Sequence, residues 1–186
     1  GRTFFLCTSL RAMDRVAATL RDLLKQAGSC IQVLAQGENS RSAILQMFRQ
    51  HTASVLVGSA SFWEGIDVRG ESLSMVIIDK LPFSPPDDPL FAARLEAVRI
   101  AGGNPFFEVQ LPQAAIALKQ GAGRLIRDPD DHGLLVIGDA RLAEKSYGRL
   151  MWSGLPPFRR TRLLNEAQSF VQKLKERILV QQDKNP

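Results

Sequence analysis

Hydrophobic and polar positions along this chain alternate between two periods. Short, continuously apolar runs occupy 3–9, 30–35, 54–58, 74–79 and 134–139, each bounded by small or polar residues, and read as buried strands. Between them the period lengthens to three or four. Met13, Val16, Ala17, Leu20, Leu23 and Leu24 form one helical stripe, which Gly28 stops. Ile44, Leu45, Met47 and Phe48 form another, with Ser40 or Ser42 as its cap. A helix beginning near Pro112 leads into the fifth strand. Strands of this kind alternating with amphipathic helices predict an α/β fold, a mainly parallel sheet covered by helices on both faces.

Two regions break the alternation. Pro82, Pro85, Pro86 and Pro89 forbid regular structure after the fourth strand and fix an extended connection. A helix with Phe91, Ala92, Leu95, Val98 and Ile100 follows and ends at Gly102-Gly103. Residues 81–111 are too few for a core of their own and read as an excursion from the sheet. The last helix carries Leu163, Leu164, Ala167, Phe170, Val171, Leu174 and Ile178 as a clean stripe, with fraying expected after Leu179. The expected organisation is a domain over 1–155 and a basic C-terminal helix and tail over 156–186.

Charge sharpens this picture. Residues 141–186 hold 10 Lys/Arg against 4 Asp/Glu, leaving 14 against 15 for residues 1–140, so the whole excess of +5 sits at the C-terminal end. A basic end favours nucleic acid or an acidic protein partner, and a solvated basic helix fits equally. No stretch approaches the roughly 18 uncharged apolar residues of a membrane span, and the apolar start is too short for a secretory signal. The chain opens almost directly on a strand, as a piece of a longer polypeptide would. Cys7 and Cys30 are not spaced as metal ligands and are expected as two buried thiols on adjacent strands. His51 and His132 stand isolated in polar surroundings.

In parallel sheets ligands gather at the carboxyl ends of the strands, so candidate chemistry is sought there. Gln120, Arg124 and Arg127 fall at i, i+4 and i+7 and share one face if their helix continues. Two guanidiniums and an amide suit a phosphoryl group. A plain helix end, with basic residues complementing its dipole, has the same spacing. Gly121 and Gly123 each cost a helix up to about 1 kcal/mol, which a close backbone approach would explain. The segment 58–67 joins Ser59, Ser61, Phe62, Trp63, Glu64, Gly65 and Asp67. An acidic residue beside a glycine can meet a ribose hydroxyl, serines can hold a phosphate, and aromatics can stack on a base or pack in the core. No Gly-x-x-x-x-Gly-Lys-Ser/Thr loop occurs, nor a triad or metal cluster, so any nucleotide site would need a second domain.

The order Thr8-Ser9, Gly65-Ile66-Asp67 and Gln120-x-x-Gly-Arg124-x-x-Arg127 resembles motifs IV, V and VI of superfamily 2 helicases. The form Ser61-Phe62-Trp63-Glu64-Gly65-Ile66-Asp67, followed by Asp79-Lys80-Leu81-Pro82-Phe83, is similar to the DinG branch of the XPD-like iron–sulfur helicases, most closely its bacterial YoaA type. The resemblance implies the second RecA-like motor domain, with a three-layer α/β fold, of a 5′-to-3′ ATP-dependent DNA helicase of repair or replication in the bacterial cytoplasm, at the nucleoid. It implies Arg124 and Arg127 as arginine fingers and Gln120 beside the γ-phosphate or the attacking water. Gly65, Asp67, Glu64 and Gly123 would meet the nucleotide, and Thr8, Ser9, Ser59, Ser61, Phe62 and Trp63 single-stranded DNA. ATP and Mg2+ would be held mainly by the first RecA-like domain, which would also carry the 4Fe-4S cluster; no metal falls to this chain. Trp152, Phe158, Arg159, Arg160, Thr161 and Phe170 would dock a partner, the chi subunit of the polymerase clamp loader.

Overall fold

The computed structural model of this chain describes residues 2–59, 62, 73–85, 88–126 and 131–182, with side chains described as far as Glu176. Glu64, Gly65, Asp67, Ser61, Trp63 and Arg127 lie outside the described residues. Five strands run parallel in one sheet: β1 (Arg2–Cys7), β2 (Gln32–Ala35), β3 (Ser54–Ser59), β4 (Leu73–Ile78) and β5 (Leu134–Ile137). Their order is β2-β3-β1-β4-β5, so the chain starts at the centre, builds one side, then crosses to the other. All five apolar runs became strands, with ends shifted by a residue or two.

Alternation along β1 sends side chains to opposite faces. Phe4 and Leu6 join Leu34, Leu56, Val76 and Ile78 beneath α2 (Arg41–Gln50) and α4 (Leu111–Ala122). There Phe4 stacks on Phe48, ring centroids 4.9 Å apart. Cys7 turns the other way and meets Met13 and Ala17 of α1 (Leu10–Gln26). The helix starts are set locally. Ser9 Oγ accepts the Ala12 N–H at the head of α1, and Ser40 Oγ accepts the Ala43 N–H at the head of α2. Past α1, Gly28 adopts φ 61°, a left-handed conformation that suits glycine.

The proline segment behaves as an excursion anchored at both ends. Leu81 and Pro82 are buried, and Phe83 stacks on Phe106 and meets Tyr147 edge-on. Asp88 caps α3 (Pro89–Ile100), accepting from the Leu90 and Phe91 N–H groups, with Pro89 in the first turn. This helix buries only Phe91; Leu90 and Ile100 are 74% and 80% exposed. A π-helical turn, Phe106–Gln110, feeds α4. Beyond β5 come two short helices, α5 (Arg141–Glu144) and α6 (Gly148–Ser153), and then α7 (Leu164–Gln182).

Two sequence expectations need correction here. The cysteines do not share a buried site: β3 separates β2 from β1, and Cys30 lies exposed before β2 begins, while Cys7 is buried. Burial, with the Asp79 carboxylate adding to it, pushes the Cys7 thiol up to about 12, so it stays protonated at neutral pH. The last helix also continues past Leu179 to Gln182. Its stripe is seated at Leu174, which is buried, and at half-buried Val171; Leu163, Leu164 and Phe170 remain exposed.

Candidate nucleotide and nucleic-acid edge

Five polar strand ends converge at the carboxyl edge of the sheet. Next to the centre, the Thr8 N–H donates to Asp79 Oδ1 at 3.3 Å, while the Asp79 N–H donates to the Leu6 carbonyl. Asp79 therefore ties the start of the Thr8-Ser9 turn to β4. Ser9 is exposed, but its oxygen is engaged as the cap of α1. On the other side of β1, Ser59 is 8% exposed, and both its N–H and its Oγ–H donate to Gln36 Oε1, at 2.8 and 2.9 Å. The sequence pattern alone gives neither Asp79 nor Gln36 a role; its signal is a polar residue directly after an apolar run.

At the outer edge, Asp139 holds the proline segment. Its carboxylate accepts the Leu81 N–H at 2.9 Å and pairs with Arg141 at 2.6 Å, while the Arg141 guanidinium lies 5.4 Å from the Phe83 ring centroid. Hydrogen bonds from Arg141 are the main reason the Asp139 carboxyl is lowered to about 2. A carboxyl depressed in the folded state stabilises above its unfolded value and loses that stabilisation as pH falls through the folded one. From the ordinary 3.8 down to about 2, up to about 2 kcal/mol is lost, less the screening at half-exposed Arg141. Urea midpoints measured from pH 5 to pH 2 are expected to show this loss in the parent chain and a flatter profile in Asp139→Asn.

Phe62 is not available for base stacking. It is 6% exposed, belongs to the main core and packs against Gly58, where a Cβ would come 3.2 Å from its ring. The Arg41 guanidinium covers the ring at 5.3 Å and also donates to the Phe62 carbonyl. Of the two uses open to this aromatic, core packing is the one realised.

The Gln120–Arg124 stretch is also corrected. The α-helix ends at Ala122; Gly123 is its C-cap, and the Arg124 and Leu125 N–H groups turn to the carbonyls three residues back, Gly121 and Ala122. Tightening from about 3.6 to about 3 residues per turn rotates Arg124 farther from Gln120 than a continuous helix would. Glycines of low helix propensity favour that break. Gln120 is exposed, Arg124 half-buried, Gly121 fully buried. Gly123 has φ −67°, so its conformation does not require glycine, although a Cβ would sit 3.2 Å from the Lys119 carbonyl oxygen.

The expected docking residues separate into two groups. Trp152 and Phe158 pack against the main core, and Arg160 lies 4.4 Å over the Trp152 ring. Arg159, Thr161 and Phe170 are exposed, with Thr161 Oγ1 accepting the Leu163 N–H. Among the described residues no group of three His, Cys, Asp or Glu could hold a metal ion, and no helix is long and apolar enough to cross a membrane.

A parallel sheet with this strand order and these polar ends defines a RecA-like α/β domain. A solved XPD helicase structure supports that fold, with a TM-score of 0.63 at 20% identity, over 83% of this chain and 27% of that one. The signature of the helicase C-terminal domain matches residues 1–158, and the chain belongs to that family. It is 53% identical over 173 residues to the ATP-dependent DNA helicase YoaA of Escherichia coli K12, covering 92% of this chain and 26% of that one. It is 40% identical over 174 residues to the ATP-dependent helicase DinG of Mycobacterium tuberculosis H37Rv, covering 94% and 26%. The chain thus spans about a quarter of the length of these relatives. The resemblance to DinG- and XPD-like helicases seen in the sequence is borne out.

Proposed function

We propose that this chain is the second motor domain of an ATP-dependent 5′-to-3′ DNA helicase of repair or replication. The observation that carries the reading is its 53% identity, across 92% of its length, to a DNA helicase. In this reading the domain, over 1–155, supplies half of an active site. Arg124 and Arg127 face ATP held by a first RecA-like domain and stabilise the charge developing on the γ-phosphoryl group, and Gln120 orients that phosphate or the attacking water. Gly123, Glu64, Gly65 and Asp67 meet the nucleotide. Thr8, Ser9, Ser61 and Trp63 line the single-strand path, and Asp79, just past β4, holds the Thr8 backbone.

Arg124 and Gln120 fit a triphosphate as a cation and an amide at a helix end, but the sequence offers no cradle for it, which leaves ATP and Mg2+ to the first domain. A 4Fe-4S cluster does not fit this chain, whose two cysteines are one buried in β1 and one exposed outside the sheet. The test is direct. Purified alone, the 186-residue chain is expected to show no DNA-stimulated ATP hydrolysis, whereas the two-domain protein hydrolyses ATP. Turnover by the lone chain would sink the half-site reading.

A second reading rests on the exposed Leu163, Leu164 and Phe170. In it, this apolar strip beside Arg159, Arg160 and Thr161 docks a replication protein, the chi subunit of the clamp loader. Truncation after Leu155 is expected to abolish chi binding in a pull-down while leaving DNA binding measurable. Undiminished capture of chi would assign the strip to another use.

A further inference from the structure

We infer that the side-chain amide of Gln36 donates to a backbone phosphate of single-stranded nucleic acid at the carboxyl edge of the sheet, and that Ser59 is its anchor. The inference deepens the helicase reading above and rests on it. Ser59 was the expected phosphate contact after β3. Its two donors, N–H and Oγ–H, are both given to Gln36 Oε1, and the residue is buried. Both groups by which Ser59 could donate to a phosphate are thus engaged.

Gln36 has the complementary property. A backbone N–H can only donate, so the Gln36 atom facing Ser59 N is the oxygen, and the orientation of the amide is settled by chemistry. The NH2 group lies at the opposite end of a planar amide, aimed away from Ser59, and carries two hydrogens with no protein acceptor among the described residues. The backbone beneath is held rigidly. The Gln36 N–H donates to the Val57 carbonyl, Gly37 turns with φ 95°, and Glu38 accepts the Ala35 N–H while pairing with Arg21 at 2.7 Å. That pairing also offsets the one carboxylate in the turn. Along the parallel ladder Gln36 follows the Ala35–Val57 pair and Ser59 stands level with Cys7, so the Gln36–Ser59 bond bridges the ends of β2 and β3 at the same edge of the sheet where β1 runs into Thr8. A fixed donor at the same carboxyl edge as Thr8 extends the expected strand path by one contact, and its ordering cost is already met by the fold.

The test compares variants of the intact helicase for binding of a labelled oligo(dT), followed by fluorescence anisotropy, with melting midpoints recorded in parallel. Gln36→Glu keeps an acceptor for Ser59 but loses both donors. It is expected to bind about tenfold more weakly, with its melting midpoint kept, and the half-saturating DNA concentration for ATP turnover should rise more than turnover itself falls. Ser59→Ala should lose less affinity than Gln36→Glu. Gln36→Lys should reverse the pattern, with a lower melting midpoint and an affinity at or above the parent's. The inference is overturned if Gln36→Glu binds within about twofold of the parent, if Ser59→Ala loses as much, or if Gln36→Lys binds more weakly than the parent; a hydrogen bond to a charged group should exceed that twofold margin. A parent that binds no oligo(dT) would instead remove the helicase reading itself.

Discussion

Alanine at Arg124 or Arg127 in the two-domain helicase is expected to lower ATP turnover by at least about tenfold, and by about 10³–10⁵-fold where the guanidinium acts in full as an arginine finger. A finger meets charge that develops only as the γ-phosphoryl group transfers, so kcat should fall while ATP affinity, measured separately with a non-hydrolysed analogue, changes less. Lysine should not rescue either position, because an ammonium is a point charge without the planar fork that grips two phosphoryl oxygens. Arg124 stands just beyond the last α-helical turn, half-buried, on a backbone tightened through Gly121 and Ala122. Its placement thus depends on where α4 ends, and Gly123→Ala should mimic part of the loss by pressing a methyl group toward the Lys119 carbonyl. Unchanged turnover in both alanine variants would remove the finger assignment while leaving the family untouched.

The second large effect is on stability. Gly148→Ala is expected to destabilise the domain by at least about 3 kcal/mol, at the upper end of what overpacking costs. Gly148 is buried at the start of α6, and a Cβ there would run into the carbonyl of Leu142, lying 2.8 Å from its carbon as well as against its oxygen. The obstacle is backbone, so no rotamer change relieves it. Moving α6 away would pull fully buried Met151 out of the main cluster, and moving α5 would displace Leu142. For a chain of this size the melting midpoint should fall by roughly 6–12 °C, as read by calorimetry or circular dichroism. A shift within about 2 °C would mean that the α5–α6 corner gives way at little cost.

The apolar runs at 54–58 and 74–79 specified β3 and β4 because a strand buried on both faces needs little beyond continuous apolar and β-branched residues. Ser40 and Gly28 marked helix ends for equally local reasons: a hydroxyl reaches an N–H three residues on, and glycine tolerates a positive φ. The candidate arginines, the Thr8-Ser9 turn and the family were legible for the same reason, since short motifs carry their chemistry in adjacent residues.

What lay beyond the sequence depended on partners far along the chain. Spacing could not show that α4 would end at Ala122 and leave Arg124 in a tightened turn beyond it. An aromatic is equally suited to a base or a core, and only the packing of Phe62 against Gly58 chose the core. Cys30 reads as apolar by its neighbours, yet strand order leaves it exposed and sets β3 between β2 and the strand of Cys7. Gln36 and Ser59 stand 23 residues apart, and Asp139 and Leu81 58 apart, so no local period could pair them. The sequence by itself determined the five strands and the longer helices, and where the chemically able residues stand along the chain. The order of the strands decided which of those residues meet at one edge, because hydrogen bonds and burial act across space.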